Sequence, residues 1–195
     1  AIEDSRRTAE FIYRNLDVLS AITTTMDTHF AFQIFFPAFW VDRTGAALTP
    51  HREITTRDID AGEVRPNPAM ARWLCGGNYP WLCKQVLHYA RQLEAAGKYQ
   101  LYLWPPHCLL GSDGHALVGV VHEARLFHSF ARTAQSHVEV KGGNPLTENY
   151  SVLRPEVLSR FDGAALAQRN TGFLHTLLGA DAVVIAGQAA SHDGC

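Results

Sequence analysis

The chain lacks several features that would narrow its role at once. No apolar run approaches the roughly 20 residues that a bilayer crossing needs, and no signal-peptide pattern is present. Charge of one sign is also missing. The 17 basic residues stand against 19 acidic ones, for a net charge of −2, which excludes the basic footprint of a nucleic-acid or anionic-membrane binder. The four cysteines (Cys75, Cys83, Cys108, Cys195) make no C-x-x-C pair and no regular framework. They read as reduced thiols of a cytoplasmic protein, with at most one of them reactive. Internal repeats and low-complexity linkers are absent too. A single domain over 1–195 is expected, long enough to bury a sizeable core and incomplete at both ends, because helix and strand patterns run almost to the termini.

What is present is the composition of an ordinary globular protein, 47% apolar and 18% charged. Residues 2–16 read as a helix, with Ala9, Ile12, Tyr13 and Leu16 on one side. A β-branched run over 18–26 reads as a strand. Residues 30–68 are rich in aromatics and prolines without a period, and read as a long excursion with short elements whose aromatic cluster is mainly packing. Asn78-Tyr79-Pro80 opens a helix over 80–96 that Gly97 closes, with Leu82, Val86, Ala90 and Leu93 inward. A short strand follows at 100–104. Val120, Ala124, Phe127, Ala131 and Ala134 mark another helix, 137–140 a third strand, and 170–178 a helix burying Phe173, Leu174, Leu177 and Leu178. A fourth strand is expected over 182–186. Alternating helices and strands predict an α/β fold with a mostly parallel sheet covered on both faces.

The residues of chemical interest stand at the ends of those strands. In Thr23-Thr24-Thr25-Met26-Asp27-Thr28-His29, Asp27 and His29 are two apart, so in an extended chain they share a face. His107 follows the next strand. Two imidazoles and a carboxylate with positions left open suit a catalytic zinc or iron site; a buried hydrogen-bonded pair is the other reading of Asp27 and His29. Lys141 ends a strand before two glycines and can steady a developing negative charge or a thiolate; a solvated lysine is its plainer reading. Cys195 follows a strand and a Gly-Gln-Ala-Ala-Ser turn, where a thiol beside free backbone N–H groups has the makings of a nucleophile. Cys75, Cys83 and Cys108 read as packed thiols.

Four ordered segments carry a resemblance. Met26-Asp27-Thr28-His29, Trp104-Pro105-Pro106-His107-Cys108, Lys141-Gly142 with Thr147-Glu148-Asn149-Tyr150-Ser151, and Ile185-Ala186-Gly187-Gln188-Ala189-Ala190-Ser191-His192 together resemble the isochorismatase-like cysteine hydrolases, in their nicotinamidase-related branch. The resemblance implies a three-layer α/β/α sandwich and a metal-containing amidase that hydrolyses a small carboxamide to carboxylate and ammonia through a cysteine thioester. It implies a divalent metal (zinc, or else iron or manganese) on Asp27, His29 and His107. It places Lys141 in an Asp-Lys-Cys triad, Trp104 and Tyr150 along the substrate pocket, and Gln188-Ala189 at the oxyanion hole. The family's catalytic aspartate sits on a strand before the first helix and has no matching position here. Its cysteine directly follows Ser-His, where this chain has Asp193, so Cys195 stands two residues late. The expected partner is a small carboxamide substrate, with a homo-oligomer left open and neither nucleic acid nor membrane. Two alternatives stand beside this reading: a metal-free isochorismatase- or carbamoyl-amidase-like hydrolase, and a catalytically incomplete metal-binding fragment or non-enzymatic assembly protein.

Overall fold

The computed structural model describes residues 2–187. The first helix, α1 (Ile2–Arg14), forms as its period predicts, with Glu3 and Asp4 in the first turn and Arg14 in the last, where they complement the helix dipole. Arg6 pairs on its exposed side with Glu3 at 2.9 Å and with Glu10. Ala9 and Ile12 are its buried residues. Asn15 then turns the chain, its carbonyl accepting from the N–H groups of Val18 and Leu19. The strand expected over 18–26 is therefore shorter and later: β1 is Thr23–Asp27, and Val18 lies exposed in the turn.

Residues 30–74 are a run of short elements, as their lack of period implied. A 3-10 turn (Pro37–Phe39) leads into β2 (Trp40–Asp42), then β3 (Glu53–Ile54), α2 (Thr56–Asp60), β4 (Val64–Pro66) and α3 (Pro68–Leu74). Thr55 and Asp58 close a reciprocal capping box that starts α2. Helix α4 (Tyr79–Ala96) begins on the Asn78 side chain, which accepts from the Trp81 N–H, and ends at Gly97 with φ +66°. The four residues read as its inward stripe are all buried, joined by Gln85 and Tyr89. Leu82, Val86, Tyr89 and Leu93 meet Ile34, Phe35, Phe36, Phe39, Trp40, Ile54, Val64, Leu101, Leu103 and Val157 in the main hydrophobic core. The aromatic excursion is thus packing for α4, which is why it carries no period of its own.

The rest of the chain runs through β5 (Leu101–Tyr102), α5 (Gly119–Arg132), β6 (His137–Lys141) and α6 (Thr171–Leu178). Among the described residues the strands form three two-stranded sheets. β1 and β6 pair in parallel from Thr23↔His137 to Asp27↔Lys141. The β2–β4 and β3–β5 pairs are antiparallel, against the expectation of a mostly parallel sheet. The β3–β5 pair closes over α2, β4, α3 and α4, so it is a long-range contact between two-residue strands rather than a local hairpin.

Two helix faces and one strand differ from the pattern. On α5 the buried residues are Ala124, Arg125 and His128, while Val120 and Phe127 are about half exposed. Polar groups turn the helix inward there. His128 Nε2 meets the Leu19 carbonyl at 2.8 Å and Arg125 Nη1 donates to Ser136 Oγ at 3.0 Å, so each has a partner outside the helix where an apolar stripe was expected. Among the described residues, His128 Nδ1 and Arg125 Nε stay buried without one. On α6 only Phe173 is buried. Residues 182–186 make no ladder among the described residues, and Val183, Val184 and Ile185 are exposed. Their β-branched character suits a sheet surface, but propensity of that kind acts only beside a paired strand. No helix among the described residues is long and apolar enough to cross a membrane.

Candidate functional site

The parallel register of β1 and β6 sets two opposite charges side by side at the strand ends. Asp27 Oδ1 lies 2.9 Å from Lys141 Nζ. The pair is an ion pair without hydrogen-bond alignment at Oδ1. Lys141 is the more enclosed partner, with its side chain 12% exposed against 38% for Asp27. Its ammonium also donates to the Tyr150 carbonyl at 2.9 Å and more distantly to that of Asn149, 3.4 Å away. An ammonium held by one carboxylate and two carbonyls is fixed in place rather than solvated.

Beyond β1 the chain stays extended. The Thr28 N–H donates to the Lys141 carbonyl at 2.8 Å, and the His29 N–H to the Cys108 carbonyl at 3.0 Å. His29 also bridges Leu109 in parallel. These bonds draw the loop after β5 against the end of β1 and set His107 on His29, with ring centroids 4.9 Å apart and planes at 79°. His107 Nδ1 lies 2.8 Å from the Pro105 carbonyl. As donor there, it leaves Nε2 as the lone-pair nitrogen, the arrangement that orients metal-binding imidazoles.

His29 is enclosed. Phe35 and Phe36 stand edge-on to its ring at 4.9 and 5.9 Å, and its Nδ1 is buried without a hydrogen-bond partner. Burial first, then the neighbouring His107, hold its pKa below the ordinary histidine value, with Asp27 pulling the other way. Gly142 makes room for it. A β-carbon there would lie 2.7 Å from His29 Cε1, and the residue has φ +92°. Gln33, fully buried, anchors the same turn by donating to the Gly142 carbonyl at 2.9 Å.

The expected site residues therefore divide. Asp27, His29, His107 and Lys141 come together at one rim, from distant stretches of sequence. Trp104 and Tyr150 join each other, the indole N–H donating to the Tyr150 hydroxyl at 3.2 Å, and Trp104 lies 6.5 Å from His107 between centroids. Cys195, Gln188 and Ala189 lie outside the described residues. The two imidazoles fit a metal: one carries an orphaned buried nitrogen and the other a free Nε2. The carboxylate faces Lys141, and among the described residues no group of three or more His, Cys, Asp or Glu side chains is arranged to hold an ion. Cys108 is a half-buried thiol whose pKa burial raises, with Asp27 adding to the effect and Lys141 opposing it. That is the state of a packed thiol, as its sequence context suggested.

Sequence reasoning missed the residues behind this rim: Gln33, His115, which meets Thr28 Oγ1 at 2.7 Å, and above all Glu148 and Tyr89. Glu148 was visible only as a letter within residues 147–151, and nothing in one sequence marks a carboxylate as buried. Compared with protein-family models, with curated proteins and with solved structures, the chain gives no match in any of the three.

Proposed function

We propose that the chain is a cysteine amidohydrolase of the isochorismatase-like, nicotinamidase-related type, acting on a small carboxamide. The observation that carries this reading is the Lys141 ammonium, held beside Asp27 at the paired strand ends and flanked by the His29–His107 rings. In this reading β1 and β6 belong to the parallel layer of a three-layer α/β/α sandwich. The Cys195 thiolate attacks the amide carbonyl carbon. Lys141 and the backbone N–H groups around Gln188 and Ala189 take the charge that develops on the carbonyl oxygen. The proton given up by the Cys195 thiol is returned to the amide nitrogen as the C–N bond breaks, ammonia leaves, and water then cleaves the thioester to carboxylate and free thiol. Trp104 and Tyr150 flank the substrate and orient it. A divalent metal held by His29 and His107, with Asp27 as third donor once released from Lys141, would supply Lewis-acid positioning of substrate and water.

The test is ammonia release from a panel of aliphatic and heteroaromatic carboxamides, with zinc, iron(II) or manganese supplied in turn. Lys141→Met should lower turnover by about 10²–10³, the scale of losing one oxyanion contact. Absence of release from every carboxamide with every metal would remove the amidase reading. A second reading is favoured by one observation. Because Asp27 pairs with Lys141 rather than facing the imidazoles, a metal-free hydrolase acting on a vinyl ether or N-carbamoyl group is the rival. Metal content of the purified protein separates the two.

A further inference from the structure

Behind the Lys141 rim lies a buried polar cluster that the amidase reading does not use. Glu148 is 3% exposed, between α4 and the loop that follows β6. Its Oε2 accepts from the Tyr89 hydroxyl at 2.6 Å, and its Oε1 from the Tyr150 hydroxyl at 3.2 Å. Each phenol is also an acceptor. The Tyr89 oxygen takes the backbone N–H of Glu148 at 3.1 Å, and the Tyr150 oxygen takes the Trp104 indole N–H at 3.2 Å. Tyr150 is thus tied at both ends. Its hydroxyl joins Glu148 to Trp104, and its carbonyl holds Lys141 Nζ at 2.9 Å.

We propose that Glu148 is a positioning residue for the rim, passing its protonation state through the Tyr150 hydroxyl to Trp104 and through the Tyr150 backbone to Lys141. The proposal rests on reading Trp104 and Lys141 as site residues. Its logic is the donor–acceptor count. With the carboxylate charged, both phenols donate to it, and their oxygens remain free to accept from Trp104 and from the backbone. A proton on Oε1 makes that oxygen a donor. The Tyr150 hydroxyl must then turn away, and its oxygen is shared between the carboxyl and the indole.

The groups that face Glu148 are Tyr89 from α4, Tyr150 on its own loop, and Glu156 from the following segment, whose N–H donates to the Glu148 carbonyl. Tyr99, ahead of β5, stands against Tyr150 with ring centroids 4.9 Å apart, and both carboxyls act on it. Burial is the first cause pushing the Glu148 carboxyl up, to about 7, opposed by the two phenol hydrogen bonds and reinforced by Glu156. The exchange between the two hydrogen-bond patterns therefore falls in the neutral range.

The experiment is an NMR titration of the whole chain, from pH 5 to 9, that needs no substrate. The Glu148 side-chain carboxyl carbon, identified by its loss in Glu148→Gln, and the Trp104 indole N–H, identified by its loss in Trp104→Phe, should move with one shared midpoint near 7. In Tyr150→Phe the carboxyl should still titrate while the indole no longer follows it. An indole step that persists in Glu148→Gln would assign it to a histidine and overturn the proposal. So would a carboxyl that titrates in the wild type while the indole stays still. If Glu148→Gln does not fold, Glu148→Asp supplies the carboxyl assignment by its shifted resonance, and wild type and Tyr150→Phe then decide. Failure of the amidase reading appears as absent ammonia release with this shared titration intact.

Discussion

The molecule contains two regions finished to different standards. Around α4, the core from Ile34 to Val157 includes Trp40, Phe39, Tyr89, Leu82 and Leu103 with no measurable exposure. Around α1 and α5 the apolar cluster is small: Ala9, Ile12 and Ala124, with Leu16, Leu19 and Ile22 against it. There, Phe130 is 82% exposed, and Val138 and Val140 on β6 also face outward. The tight core gathers the periodless excursion of residues 30–74 onto the periodic helix α4, and the layer that holds α1, α5 and the parallel strands is the sparse one. Amphipathic helices beside a parallel strand pair are therefore no guarantee of a dense core; buried apolar area is what carries the stability. The candidate site lies on the seam, with His29 and His107 against Phe36 of the main core and Lys141 on β6 of the sparse layer.

The contrast can be tested by substitution. Trp40→Ala removes a fully buried indole whose N–H donates to the Ile34 carbonyl at 2.6 Å. It should cost about 3–5 kcal/mol in denaturant unfolding. A cost below ~1 kcal/mol would mean that the main core is not where the chain is held. Gly142→Ala, on the seam, forces a side chain into the His29 ring at a positive φ and should cost about 1–3 kcal/mol. A shift of the His29 ring resonances should accompany the loss.

The seam should also respond to pH. Glu148 has its pKa raised from 4.5 to about 7, so the folded chain holds the proton more tightly than the unfolded one. Its stabilising contribution is complete below pH 4.5 and is lost as pH rises through 7. The loss is at most about 1.4 kcal/mol for each pH unit between those two values. Thermal melts should therefore show a fall in Tm from pH 5 to 8 in the wild type, and a smaller fall in Glu148→Gln. Equal slopes would mean that Glu148 does not carry the proton. Native-state hydrogen exchange should find α4 amides opening only with global unfolding and α1 and α5 amides opening earlier; the reverse order would dissolve the contrast between the regions. Smallest of all, Phe130→Ser should leave stability within about 0.5 kcal/mol of wild type, as an exposed position does.

The helices of both regions were legible in the sequence, because period is a local signal. Helices α1, α4 and α5 appear where their apolar spacing puts them, and Asp27 and Lys141 both end strands. What failed were inferences that need a neighbour. Residues 183–185 have strand composition but no ladder among the described residues, and the buried face of α5 is set by hydrogen bonds from Arg125 and His128 to partners outside the helix. At the site, the meeting of His29 with His107 could be argued from strand ends alone. The pairing of Asp27 with Lys141, rather than with the imidazoles, depends on register, which a single sequence does not carry. Glu148 was passed over because burial turns an ordinary acidic letter into a hub only once Tyr89 and Tyr150 close around it.

The missing side chain at position 142 binds two remote parts of the chain to a common fate. The His29 ring occupies the volume that any larger residue at 142 would claim, so an alanine there becomes tolerable only if the imidazole shrinks or swings away. A library randomised at 29 and 142 together should return acceptable combinations that neither single-site library contains, and the pair would drift as a unit or stay still.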